Sequence, residues 1–343
     1  MKKLVAVLII GLCACNGYAF GPRGQHLVGA IADRRLAQST NVAARKKLEQ
    51  LLEGLSLEAV VTLPDSIKAW SRIPTSESDS FHVTGHPRIE AELRAFVKAN
   101  QVGGRASHYD FHFADVPVLG NEKYSSSTVG RSEFDVVHMF EFCVQVLKRD
   151  VPEKNERAIT KTIAVILLAH FLSDLHQPLH VGEQYFDING NAIEPTPQVR
   201  GFSDQSGNRL NLFLRGKELS VGRLHGYWDT ATVATAFENT PDEQTAAALA
   251  REEPKHWKLD SPVEGWGEAL ANEVLPIASE AYARLEVRNV KVTPSIPYVI
   301  SGDAIEKTTA NGVPYAKWSA VIARQQIHKA GWRLAALFET LLR

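Results

Sequence analysis

Apolar positions recur at helical spacing over most of the chain. Residues 25–37 place Leu27, Val28, Ile31 and Leu36 on one side of a helix. Residues 42–54 are amphipathic and end in glycine, a common helix stop. Residues 64–71 open on Pro64 and Asp65, which suit a first turn. Further helices are expected over 88–99, 131–149 and 154–176. The last has the most continuous apolar run, Ile163 to Leu168, and Pro178 should end it. Helical patterning resumes at 225–240, 242–252, 264–286 and 314–342. Residues 181–223, rich in Gly, Asn, Asp and Pro, read as a long loop or small hairpin, and 287–301 lean towards β structure. No repeat or linker interrupts the sequence. The expectation is a mainly α, single multi-helix domain over 20–343 with a few short strands in its loops.

The first nineteen residues stand apart. Lys2 and Lys3 precede an apolar run, Leu4 to Leu12, and small residues follow, the pattern of a secretory signal peptide. The run is shorter than the ~18–20 residues that cross a bilayer. Gly17-Tyr18-Ala19 predicts cleavage after Ala19 and a mature start at Phe20; Leu12-Cys13-Ala14-Cys15 is a rival, lipoprotein-type site. The expected location is therefore the periplasm or the medium, with no stable membrane partner and a monomeric chain. Only Cys143 would remain, which excludes an intramolecular disulfide and suits a buried core thiol.

Charge narrows the function classes. The chain has 38 Lys and Arg against 39 Asp and Glu. Loss of Lys2 and Lys3 with the leader moves that balance from −1 to −3, so a broad basic face for nucleic acid is excluded.

The histidines carry the chemical signal. In HFLSDLHQPLH, residues 170–180, His170 and Asp174 lie four apart and share a helix face, and His180 follows Pro178. His225 and Asp229 repeat the spacing in HGYWD. His112 and Asp115 stand in HYDFHFAD, and Asp65 follows Pro64. Imidazole and carboxylate donors at such spacing suit Zn²⁺. One such pair alone is usually a surface hydrogen bond; two, one beside an apolar helix, point to metal.

This ordered set resembles the S1/P1 nucleases, secreted zinc enzymes that cleave single-stranded DNA and RNA and remove 3′-phosphates from nucleotides. The resemblance rests on HFLSDLHQPLH, the Asp/Gly/Asn-rich loop, LHGYWDTA, Pro64-Asp65-x-x-Lys68, His112-Phe113-x-Asp115 and the start FGPRGQHLVGAIAD. It implies the helical phospholipase C/P1 nuclease fold, three zinc ions, and nucleotides or single-stranded nucleic acid as substrate, with 5′-phosphate products. By similarity Asp65, His112, His170 and Asp174 hold one zinc. Asp174 bridges to a second, completed by the backbone amine and carbonyl of Phe20 and a nearby histidine. His180, His225 and Asp229 hold the third. Asp115 would orient or deprotonate the attacking water, Lys68 would stabilise phosphate charge, and Phe113 and Asn208 would sit near the base. Three divalent cations also supply positive charge that a residue count omits.

The sequence departs from the family pattern at several places. The family runs Trp-Gly-x-x-Gly-His, whereas Gln25 stands at the ligand place here and His26 one residue later. Histidine is the better zinc ligand, so His26 with a shifted helix start is expected to take the position; loss of that zinc is the alternative. Residues 74–107 read as an insertion near the cleft. Asp204-Gln205-Ser206-Gly207-Asn208 replaces Asp-x-Gly-Gly-Asn, and Tyr227 stands where an acid is frequent. Two other readings remain: a zinc-dependent phospholipase C, and a zinc-binding relative without catalysis.

Overall fold

A computed structural model describes residues 20–71, 81–100, 108–120, 123–238, 240–293, 298–308 and 312–343. The leader and its rival lipoprotein-type site lie outside the described residues, as do parts of the 74–107 insertion.

The chain forms helices α1 (Gly21–Gln38), α2 (Val42–Leu51), α3 (Leu57–Val60), α4 (Leu63–Ser66), α5 (Pro87–Ala99), α6 (Val136–Lys148) and α7 (Lys161–Asp174). Strand β1 (Val116–Pro117) lies between α5 and α6. Strands β2 (Gly182–Glu183), β3 (Tyr185–Phe186), β4 (Ala192–Ile193), β5 (Phe202–Ser203) and β6 (Leu210–Phe213) follow α7. Then come α8 (Leu224–Gly226), α9 (Thr232–Ala236), α10 (Asp242–Arg251), α11 (Trp266–Ala283), β7 (Leu285–Thr293), β8 (Val299–Glu306) and α12 (Tyr315–Leu341). It is a mainly α, single-domain fold with short strands in its loops.

Helix α7 is the axis of the core. Every residue from Thr162 to Asp174 is buried, as expected for a helix that is apolar all round. Helices α6, α5, α12 and α1 surround it. Two helices start later than their hydrophobic pattern suggests, because a capping side chain sets each start. Thr160 Oγ1 accepts from the Ile163 amide (3.2 Å) at α7, and Asp135 accepts from Val137 and His138 (3.0 Å each) at α6. Cys143 is buried in α6, and burial pushes its thiol pKa up. None of the described helices is long and apolar enough to cross a membrane.

The strands make three small sheets. β1 pairs in parallel with β2, Val116 opposite Gly182 and Pro117 opposite Glu183. β3 lies between β4 and β5, both antiparallel to it. β8 joins β6 in parallel and β7 antiparallel. The first pairing matters most for the site: it ties the segment after His112 to the segment after His180.

Candidate metal centre and adjoining cavity

The last turn of α7 brings His170 and Asp174 to one side, where they meet His112 from the short turn Asp110–His112 and Asp65 from α4. All four are buried. His170 Nε2 lies 2.8 Å from His112 Nδ1, 3.3 Å from Asp174 Oδ2 and 3.8 Å from Asp65 Oδ2. His112 Nδ1 lies 3.1 Å from Asp174 Oδ2 and 3.9 Å from Asp65 Oδ1. The Nδ1–H of His170 donates to the Val61 carbonyl (2.7 Å), so a neutral ring presents its bare Nε2 to the cluster.

A second cluster lies alongside. His180 comes from the turn Pro178–His180, His225 from α8, and Asp229 from the π-helical turn Tyr227–Ala231. That wide turn, a feature frequent at functional sites, holds Asp229 Oδ2 3.3 Å from His225 Nε2. The two imidazoles lie face to face at an incline, ring centroids 5.0 Å apart. Each is aimed by its far nitrogen: His180 Nδ1–H donates to the His112 carbonyl (2.7 Å), and His225 Nδ1–H to the Ser206 carbonyl (2.8 Å). Both Nε2 atoms are buried without a hydrogen bond, as is Asp174 Oδ1. Asp174 connects the clusters, its Oδ1 being 3.8 Å from His180 Nδ1.

Buried acceptors without donors are costly, and this donor set is the kind that holds a divalent cation. Asp65, His112 and His170 form one candidate ligand group, and His180, His225 and Asp229 another; within each, the donor atoms lie within 4.8 Å of one another. Electrostatics agrees. Burial, reinforced by His225, holds His180 well below the ordinary imidazole range, and burial lowers His225 to about 4. His112 is lowered by burial and then by the Lys68 charge. Neutral imidazoles are the ligating form. At His170 burial also opposes the charge, but Asp174 and Asp65 outweigh it and raise the pKa. Burial raises Asp174 to about 6.

A cavity of about 460 Å³ adjoins the clusters. Phe113, Asp115 and Asn208 all line it, although Asn208 is far from the other two in sequence. Phe113 also packs edge-on to His180, ring centroids 6.3 Å apart, which joins cavity to metal cluster. The Asp115 backbone is clamped: its N–H donates to the Gly130 carbonyl (2.8 Å), and the Tyr185 hydroxyl donates to its carbonyl (2.8 Å). Gly130 has φ +78°, and a Cβ there would lie 1.7 Å from the Asp115 carbonyl oxygen, so only glycine fits. Burial first, then the carboxylates of Glu183 and Asp135, push the Asp115 carboxyl well above its usual range.

The family model for S1/P1 Nuclease matches residues 20–343. The chain belongs to the S1/P1 nuclease family. Among curated relatives, "Endonuclease 3" of Arabidopsis thaliana is 22% identical over 284 residues, covering 81% of this chain and 78% of its own. "Endonuclease 5" of the same plant is 22% identical over 262 residues, covering 76% of this chain and 72% of its own. Family membership makes the protein a nuclease, a hydrolase of phosphodiester bonds.

In this S1/P1 nuclease Lys68 is buried and its Nζ lies 2.6 Å from Asp65 Oδ1, so it adds positive charge to the first cluster. Gln25 is fully buried, and its Nε2 donates to Asp65 Oδ2 (3.0 Å). His26 turns away: its Nδ1 lies 2.9 Å from the Glu58 carbonyl, and it faces a separate cavity lined also by Arg23, Arg34 and Asp242. The expectation that His26 reaches the cluster is therefore corrected. The reason is local. Phe20 and Gly21 both have positive φ (50° and 57°), which starts α1 at Gly21 without a shift, and adjacent helical positions point ~100° apart. Phe20 is fully buried, and Gly21 is pressed against Asp229, where a Cβ would lie 2.6 Å from its carbonyl oxygen.

Several site residues escape sequence reasoning. Gln177 Nε2 donates to Asp229 Oδ1 (2.9 Å), positioning the second cluster. Glu183 is buried beside Asp115 and accepts from Ser203 Oγ (2.6 Å) and the Ser206 amide (2.8 Å). Tyr185 and Tyr298 add aromatic wall to the cavity. Gln177 stands inside a motif already singled out; the others carry no spacing signal.

Proposed function

We propose that this nuclease is a secreted zinc-dependent phosphodiesterase that cleaves single-stranded DNA and RNA endonucleolytically to 5′-phosphate products and also acts as a 3′-nucleotidase. The observation that carries the reading is the pair of buried His/Asp clusters joined by Asp174 and opening beside a cavity of nucleotide size. The endonuclease names of the Arabidopsis relatives point the same way. In this reading zinc is held by Asp65, His112, His170 and Asp174, and by His180, His225 and Asp229. Processing after Ala19 would free the amine of Phe20, whose neighbour Gly21 is pressed against the Asp229 backbone. When bound, zinc supplies Lewis-acid charge for phosphate oxygens and lowers the pKa of water.

The chain's own residues do the rest. Asp115, held by Gly130 and Tyr185, takes the proton of the attacking water. Lys68 offsets charge on the phosphate. Phe113, with Tyr185 and Tyr298, offers ring faces that accept any base, a contact worth ~1–3 kcal/mol per base, and Asn208 adds an amide at the rim. The near-neutral charge of the chain suits short contacts anchored at the metal centre over long contacts along a strand.

Purified protein offered single-stranded DNA and phosphatidylcholine side by side is expected to cleave only the DNA, and a chelator should stop it. Turnover of the lipid alone would replace this reading with the phospholipase one. Asp115→Asn should lower kcat by ~10²–10⁴-fold, the usual contribution of a positioned proton acceptor. Because the Asp115 pKa is raised, wild-type activity should climb with pH above the ordinary carboxylate range as the proton leaves, and the variant should lack that limb. A pH–rate profile shared by the two proteins would remove Asp115 from this role.

A further inference from the structure

Gln25 aside, two buried carboxylates, Glu183 and Asp204, stand outside the proposed chemistry, and both grip one strained turn. Gln205, Ser206 and Gly207 follow one another with left-handed backbone, φ +54°, +56° and +83°. A residue with a Cβ rarely adopts that conformation and keeps it only where its surroundings impose it. At Ser206 the two flanking peptides are held separately. The first ends in the Ser206 N–H, which donates to Glu183 Oε2 (2.8 Å). The Ser203 hydroxyl donates to the same oxygen (2.6 Å) and accepts from the Gln205 N–H (2.8 Å). The second peptide contains the Ser206 carbonyl and the Gly207 N–H, and that N–H donates to Asp204 Oδ1 (3.0 Å). Across a trans peptide the N–H and C=O point in opposite directions. Asp204 therefore aims the Ser206 carbonyl away from itself, and that carbonyl accepts from His225 Nδ1–H (2.8 Å). Tyr282 steadies Asp204 in turn, its hydroxyl donating to Oδ2 (2.8 Å).

We infer that Glu183 and Asp204 are positioning residues of the second cluster: by gripping the peptides on either side of Ser206 they fix the carbonyl that orients His225. The effect passes through backbone, from carboxylate to peptide to imidazole, and ends at His225 Nε2, 3.3 Å from Asp229 Oδ2. A ligating histidine keeps its tautomer and ring orientation only while its far nitrogen is held, and loss of such support weakens a bound metal by ~10–100-fold. Glu183, Ser203 and Ser206 also line the cavity beside Phe113 and Asp115, so one support serves both the cavity wall and a metal ligand. This inference rests on the reading of His180, His225 and Asp229 as a zinc centre.

The test is titration of zinc-loaded, processed protein with a competing chelator. His225→Ala should release one zinc ion at chelator concentrations that the wild type withstands. Glu183→Ala and Asp204→Ala should weaken that same single ion by ~10–100-fold, with helical circular dichroism and the remaining zinc unchanged. Glu183→Gln and Asp204→Asn keep an accepting oxygen and should stay close to the wild type. Ser206→Gly added to Glu183→Ala should recover part of the loss, since glycine adopts left-handed backbone unaided. Ser203→Ala keeps both carboxylates and should weaken the same ion; it decides the matter if the alanine variants at 183 and 204 do not fold. Wild-type zinc affinity in folded Glu183→Ala and Asp204→Ala, or in Ser203→Ala, would overturn the inference. So would release of all the zinc together, because a loosened fold would then be the cause. If His225→Ala releases no zinc, the zinc-centre reading falls, and the inference with it.

Discussion

Replacing Asp174 by Asn should reduce kcat/KM on single-stranded DNA by on the order of a thousandfold or more and leave a folded protein. Asp174 is a carboxylate that reaches both clusters: Oδ2 is 3.1 Å from His112 and 3.3 Å from His170, and Oδ1 is 3.8 Å from His180. Asn keeps the shape and removes the charge, and its NH₂ presents hydrogen where a cation needs a lone pair. Bound metal stabilises developing charge by several kcal/mol, and each 1.36 kcal/mol is a factor of ten. Without metal, the fold should tolerate the change. Burial raises Asp174 to about 6, so the ionised carboxylate is disfavoured in the metal-free protein and a neutral side chain relieves that cost. The two effects separate in one experiment. Thermal unfolding with chelator should show little difference between the proteins, while added zinc should raise the wild-type Tm far more than the variant's, since only metal bound to the native state stabilises it. Equal zinc-induced shifts would remove Asp174 from the metal centre.

Much of this centre was legible in the sequence because it is encoded locally. The i, i+4 spacing of His170 and Asp174 on an apolar helix gives both the shared face and its burial, and Pro178 gives the turn that returns His180. The helices themselves follow from periodicity; the starts that moved furthest are those of α6 and α7, to where Asp135 and Thr160 cap them. What was not legible depends on backbone conformation or distant pairing. The choice between Gln25 and His26 turns on positive φ at Phe20 and Gly21, which histidine's preference for zinc cannot reveal. The cavity wall depends on β1 pairing with β2 and on the chain from 203 to 208 folding back, which brings Glu183 and Ser206 within hydrogen-bond reach. Likewise β6 was read as part of a loop, because its strand partner, β8, lies about ninety residues on: Leu210 pairs with Gly302.

Arg333→Met should destabilise the protein strongly, by about 3–4 kcal/mol, towards the lower end of the cost of breaking a buried ion pair because Glu273 keeps a second cation. Arg333 lies fully buried in α12. Its NH2 contacts Glu273 Oε2 of α11 (2.6 Å) and the His256 carbonyl (3.2 Å); its NH1 reaches Glu273 Oε1 (3.2 Å) and His176 Nε2 (2.8 Å); its Nε donates to the Trp257 carbonyl (2.6 Å). His176 can accept only as a neutral ring, and it is kept so: its Nδ1–H donates to the Leu172 carbonyl (2.6 Å), and burial, then the Arg333 charge, lowers its pKa to about 3. Burial opposes ionisation of Glu273, but Arg333 outweighs it and brings the pKa down to about 2. Met fills similar volume and supplies no donor, so two carbonyls and a ring nitrogen lose their partner, while Glu273, a quarter exposed, keeps only Lys329 (2.8 Å). Tm should fall by roughly 5–8 °C. Lys should not rescue it, since one ammonium cannot span the fork that joins Glu273, His176 and two carbonyls. Arg333→Met combined with Glu273→Gln should recover little of the loss, because Lys329 already offsets the Glu273 charge in the single variant. A Tm unchanged in Arg333→Met would show that the Arg333 network adds nothing to the packing of α11 on α12, and full rescue by Lys would show that one charge replaces the fork.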